Sequence, residues 1–154
     1  MGHEMREILF RAKRKIWREL PKEEWWVEGS YHHQTDYYGE LCDKHYIIDG
    51  TETDMEGYGE HYEIDLETLC QYIGKNDKRG KQICEHDVIS INTYSYNEPE
   101  EDYYGEVVYV EYWACWCIQQ PGDEKPIPLC ECEGSYLTVI VIEGNSIDNP
   151  ELLE

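Results

Sequence analysis

A single Phe serves all 154 residues. No apolar run approaches the roughly 18 residues that a spanning helix needs, so no membrane segment is expected. The N-terminal stretch does not read as a secretory signal either. Basic residues are scarce: 13 Lys and Arg stand against 34 Asp and Glu, a formal net charge of −21. A binder of duplex phosphate needs a basic footprint, so direct duplex nucleic-acid binding is excluded. Also missing are a GxGxxG turn after a strand, a Walker loop, a GxSxG elbow, an HExxH helix and a Cys-His nucleophile signature. The expectation is a non-enzymatic protein with no cofactor.

The few cations are concentrated. Residues 1–22 hold Arg6, Arg11, Lys13, Arg14, Lys15, Arg18 and Lys22. Lys75, Lys78, Arg79 and Lys81 form a second group. An acidic body with two basic patches suits a compact anionic ligand better than a long duplex. The 14 Tyr and 5 Trp offer rings with an apolar body and a polar tip, suited to interfaces and to stacking on bases. The candidate ligand set is therefore Arg6, Arg11, Lys13 and Arg14 with Trp26 or Tyr72, joined by Lys78, Arg79 and Lys81, in a homo-oligomer. The other reading of the patches is that they are solvated faces balancing local acids. The acid excess itself supports a different role, a protein-binding inhibitor whose surface imitates nucleic acid.

Turn residues punctuate short β-like runs along the whole chain. Residues 5–20 fit a helical spacing (Met5, Ile8, Leu9, Ala12, Ile16) and also a strand alternation (Ile8, Phe10, Ala12). A strand over Glu7 to Ala12 is the reading preferred, with a helical turn in Lys15 to Leu20 that Pro21 ends. Further strands are expected over Trp25 to His33, His45 to Ile48, His61 to Ile64, Tyr104 to Gln119 and Tyr136 to Glu143. Loops are expected over Thr35 to Asp43, Thr51 to Glu60 and Asn97 to Asp102. Pro126 to Cys132 reads as an edge segment, and Asp65 as an N-cap. The fold class is mainly β with little helix, in short strands and hairpins, as residues 1–83 and 84–154 packed in one unit. A small SH3-like barrel is expected in the C-terminal half by analogy.

Glu67 to Ile91 organises the rest. One run ends at Gly74, a polar turn follows through Asn76, Asp77 and Gly80, and a second run starts at Gln82. Gly can take positive φ, and Asn and Asp bond their own backbone, which makes a hairpin. Gln71, Tyr72, Gly74, Asp77, Gly80, Ile83, Glu85, Asp87 and Val88 fill a pattern that resembles the YopX-like proteins of phages and prophages. Trp26-Val27-Glu28-Gly29, Gly144-Asn145 and Asn149-Pro150-Glu151-Leu152-Leu153 extend the resemblance over nearly all of the chain. The chain departs from the family in His86, where Gly is usual, and in Lys15 to Leu20, which looks like an insertion. The resemblance implies a phage accessory protein in the cytoplasm of a bacterial host. There it would modulate the host by holding a signalling nucleotide or by binding a host protein, or it would instead be a structural or assembly component of the phage. It implies no reaction.

Seven Cys and no secretory signal point to reduced thiols. Cys115-x-Cys117 and Cys130-x-Cys132 could meet on paired strands and offer four thiolates. Zinc knuckles use a longer gap within each pair, so packing is the preferred reading and no metal is expected. The histidines show no ligand spacing. His32 and His33 would face opposite sides of a strand, which makes them poor joint ligands. Glu85 and Asp87, as i and i+2 on a strand, would share a face and cap the turn, pair with Arg79 or Lys81, or serve as an acid pair, with the structural role preferred.

Overall fold

Of the two periodicities in residues 5–20, the strand prevails over Phe10–Lys13 (β1). Ile8 and Ile16, both on the would-be apolar helix face, are 60% and 47% exposed. The strand instead gains ladders on both edges. β1 pairs antiparallel with β2 (Trp26–Gln34), Lys13 opposite Trp26, and with β5 (Cys70–Asn76), Phe10 opposite Gln71. An isolated helix of this length would be marginal in water. The expected helical turn survives as a single 3-10 turn, Trp17–Glu19. The computed structural model describes residues 7–35, 43–53 and 59–154. Arg6 lies outside them, as do most of the expected Thr35 to Asp43 loop and the middle of the Thr51 to Glu60 loop.

The chain divides into two compact units, Met1–Tyr72 and Ile73–Glu154. The boundary expected after residue 83 thus gives way to one inside β5, and the signature turn belongs wholly to the second unit. In the first unit β3 (Lys44–Thr53) and β4 (Gly59–Glu63) complete the order β4-β3-β2-β1-β5. β3 runs well past the expected end at Ile48 because β4 goes on pairing with it there, Asp49 opposite Glu60 and Thr53 opposite Gly59, after the β2 ladder ends at Ile48. Gly29, on β2, lies against β3 so closely that a Cβ there would sit 2.1 Å from the Ile48 carbonyl oxygen. Ala12, Ile47 and Ile64 are buried, with Phe10, Val27, Tyr31 and Leu69 packed on them. Leu66–Thr68 form a 3-10 turn whose N-cap Asp65 accepts from the Glu67 amide, as expected of a short acid there.

In the second unit the later part of β5 pairs with β6 (Gln82–Cys84). The rest is a five-stranded antiparallel sheet in the order β10-β9-β8-β7-β11. Its strands are β7 (Asp87–Ser95), β8 (Glu98–Val110), β9 (Cys115–Gln119), β10 (Ile127–Pro128) and β11 (Leu137–Asn145). Ile73, Ile83, Ile89, Ile91, Val107, Ile118, Cys132 and Ile142 make one buried cluster. Each fully buried aliphatic side chain here stabilises the unit by roughly 1.5–3 kcal/mol.

Three expectations change. The sheet is open and no barrel closes: β10 is two residues with a proline, and β11 pairs with β7 alone. Asn97 to Asp102, expected as a loop, lies mostly in β8, with Pro99 opposite Tyr94. The run from Gln82 to Ile91 is two strands broken at Glu85-His86. His86 takes φ 69°, the left-handed region that glycine favours. Glu85 and Asp87 therefore share no strand face. Asp87 is buried and accepts from the Cys84 amide at 2.8 Å, closing the turn between β6 and β7.

Candidate functional site

The signature turn begins with its glycines. Gly74 and Gly80 sit at φ 89° and 82°, which only glycine adopts without strain. Asp77 is buried and its carboxylate gathers three backbone amides: Arg79 and Lys81 at 2.9 Å, and Ile142 at 3.2 Å. Lys78 N donates to Ile140 O at 2.8 Å, and the Arg79 guanidinium donates to Ile142 O at 3.1 Å. The turn is thus latched along the outer edge of β11, which would otherwise offer unpaired backbone groups to another chain. Burial pushes the Asp77 carboxyl up, but the amides of Lys81, Ile142 and Arg79 outweigh it and hold the group below its usual range. So Asp77 and Arg79 are latch residues. Lys78 and Lys81 contribute backbone to the latch and leave their side chains in solvent.

The N-terminal cations are largely consumed within their own unit. Arg11 and Lys13 share one face of β1, and both are buried. The Lys13 ammonium lies 3.9 Å from the Trp17 ring centre and 4.6 Å from that of Trp25. The Arg11 guanidinium lies 5.2 Å over Trp26, and Arg14 5.0 Å over Tyr62. Trp17 donates to Asp65 at 3.2 Å and Trp25 to Leu20 O at 2.9 Å, which holds the two rings edge to face. The segment resembling an insertion therefore supplies one wall of a tryptophan cage. A desolvated cation on such faces stabilises the unit by about 2 kcal/mol. Arg11, Lys13 and Tyr72 are buried, and Trp26 is half-buried beneath the Arg11 guanidinium.

Two arrangements escaped sequence reading. The first is a groove of about 800 Å³ in the second unit, lined by Trp113, Asp123, Glu124, Lys125, Pro126 and Glu131 among others. Tyr112 beside it is 93% exposed. The Lys125 ammonium stands 5.9 Å over the Trp113 ring. The available signal was two prolines and three acids close to a tryptophan, which reads as surface loop until strand pairing brings the segments together. A smaller cavity of about 600 Å³ is lined by Lys75, Asn76, Lys78, Glu133 and Leu137 among others.

The second is a cluster of histidines. β2 and β3 place His33 directly opposite His45. Their rings stack at 4.3 Å and 11°. Asp43 Oδ1 is hydrogen-bonded to His33 Nε2 and lies 3.6 Å from His45 Nε2. Tyr31 Oη sits 2.6 Å from His45 Nδ1. The hydrogen bond with His33, helped by the two neighbouring imidazoles, lowers the Asp43 pKa against the desolvation that opposes it. Burial, with Asp43 nearby, raises that of Tyr31. Judging His33 by its neighbour His32 hid this group, because the partner lies across the strands. Among the described residues this is the one set of three metal-capable groups whose ligand atoms all fall within 4.8 Å. The four thiols do not form such a set: Cys115 and Cys117 Sγ are 3.7 Å apart, while Cys130 sits on a 3-10 turn with Cys132 after it. Burial pushes the Cys117 and Cys132 thiols up to about 12 and 11, which keeps them as packing residues.

Two open antiparallel sheets with little helix define an all-β protein. The family model described as YopX protein matches residues 9–154, and the chain belongs to the YopX family. No protein with a curated description matches it. Among solved structures, the crystal structure of protein EF1440 from Enterococcus faecalis is similar, with 19% identity and a TM-score of 0.48. The match covers 96% of this chain and 99% of that one.

Proposed function

We propose that this YopX protein is a non-enzymatic, phage-encoded accessory protein that modulates its bacterial host by binding a basic protein partner. The groove at Trp113 carries the reading. It combines the partly exposed Trp113 ring, Pro126 and Pro128, and the carboxylates of Asp123, Glu124 and Glu131. Lys125 over Trp113 demonstrates locally that an ammonium is accommodated on that ring. From Gln82 to Glu154 Lys125 is the one Lys or Arg against 16 acids. Such a field steers and selects cationic surfaces. The burial of Arg11 and Lys13 supports this reading over an anionic ligand held at the first patch.

Affinity capture from host lysate tests it, comparing the parent with a Glu124→Lys/Glu131→Lys double variant. The expected result is a basic protein recovered by the parent, released by raised salt and lost in the variant. Equal recovery by both would overturn the proposal. A second reading keeps one observation in its favour: Lys75 and Lys78 border the smaller cavity, where a small anionic ligand such as a nucleotide could be held. A thermal-shift response to nucleotides that disappears in Lys78→Glu, with a homo-oligomer by light scattering, would select that reading instead.

A further inference from the structure

We propose that His33, Asp43 and His45 form a binding site for one divalent transition-metal ion. Two imidazole Nε2 atoms and one carboxylate oxygen converge within 4.8 Å of one another. Metal–nitrogen bonds of about 2.0–2.1 Å bring neighbouring ligand atoms to roughly 3.3 Å, so the 3.6 Å between Asp43 Oδ1 and His45 Nε2 is already near that spacing. The histidines are held in place before any metal arrives. Direct opposition on β2 and β3 fixes both Cα positions, and the stacked rings aim the same edge at Asp43.

The surroundings of His45 fit a ligand. Its Nδ1 meets the Tyr31 hydroxyl at 2.6 Å, and Tyr31 packs on Phe10 with ring centres 5.7 Å apart. A histidine whose Nδ1–H donates to such a partner presents a lone pair at Nε2, the arrangement that metal-binding histidines use. Two imidazoles and a carboxylate favour zinc, nickel, cobalt or iron over magnesium or calcium, which prefer all-oxygen shells. Three protein ligands leave further coordination positions to water. The His33 and Asp43 side chains are 42% and 76% exposed, so an ion reaches the site from solvent without any opening of the fold.

The proposal is independent of the groove at Trp113. It is tested on the full chain, stripped with chelator and kept reduced, by titration with Co²⁺ and by calorimetry with Zn²⁺. The expected result is one ion per chain, with visible ligand-field bands but no thiolate-to-cobalt charge-transfer band. His33→Ala and His45→Ala should each weaken binding at least tenfold, and Cys115→Ser/Cys117→Ser should leave it unchanged. His33 is exposed, so its variant tests binding without disturbing the core, and an unchanged circular dichroism spectrum verifies that. Absence of binding at micromolar metal would overturn the proposal. So would a thiolate charge-transfer band, or binding that survives His33→Ala at full strength.

Discussion

Replacing Asp77 by Ala removes the centre of the β11 latch. Three amides lose their acceptor: Arg79, Lys81 and Ile142. The first two lie on an exposed turn and recover bonds to water, so each costs about 1 kcal/mol net. The Ile142 amide is inside the unit, and a buried donor without a partner costs roughly 1–3 kcal/mol. The expected loss is about 4 kcal/mol, a large share of the 5–15 kcal/mol that holds a typical domain together. It corresponds to a fall in Tm of roughly 10 °C. Asp77→Asn keeps one carbonyl oxygen and should lose about half as much. Urea unfolding followed by circular dichroism reads both. The pH dependence has a definite sign. The carboxyl is held below its usual value in the folded state, so its contribution is complete above the unfolded pKa of about 3.9 and fades as pH falls through the lower folded value. The gap between parent and Asp77→Ala should be constant from about pH 5 to 8 and should narrow below about pH 4. A variant within about 1 kcal/mol of the parent at neutral pH would refute the latch.

Three further outcomes are expected. Lys13→Met keeps the side-chain stem but removes the cation from between Trp17 and Trp25; it should lose about 2 kcal/mol and change the tryptophan emission, and unchanged stability would count against the cage. At His86 the backbone is left-handed, so His86→Gly should be more stable than His86→Ala by about 1 kcal/mol in chemical denaturation; the reverse order would mean that the turn is free to relax. Under iodoacetamide in mildly alkaline buffer, mass spectrometry should find exposed Cys130 modified before Cys117 and Cys132, whose thiols burial keeps protonated; early labelling of Cys117 would contradict its placement.

Much of the fold was legible because it follows from local chemistry. Trp and Tyr marked β2, the β-branched run YLTVIVIE marked β11, and Gly74, Asp77 and Gly80 marked the turn. What stayed hidden depends on partners far along the chain. Nothing local to Glu98–Asp102 suggests a strand; it becomes one because β7 lies alongside with Asn92 and Tyr94 in register. Formal charge made Arg11 and Lys13 look like ligand groups. Only the placement of Trp17, Trp25 and Trp26 shows that they already have aromatic partners. His86 hid a turn because a side chain other than glycine in that conformation leaves no compositional trace. His33 and His45 became a pair through cross-strand register alone.

The latch also has a place in time. Asp77 and Ile142 are 65 residues apart in the chain. Closing a loop of that length costs roughly 4 kcal/mol of chain entropy, which cannot be recovered until β11 is already seated beside β7. The β7–β8 hairpin, by contrast, closes over a few residues and can form early. The bonds to Arg79 and Lys81 span two and four residues and can form with the turn itself, whereas the bond to Ile142 should be among the last to form. Kinetically, the share of the Asp77→Ala loss that belongs to the Ile142 bond should appear as faster unfolding with little change in the folding rate of the second unit. That single long-range bond would then govern how long the folded protein persists more than how quickly it forms.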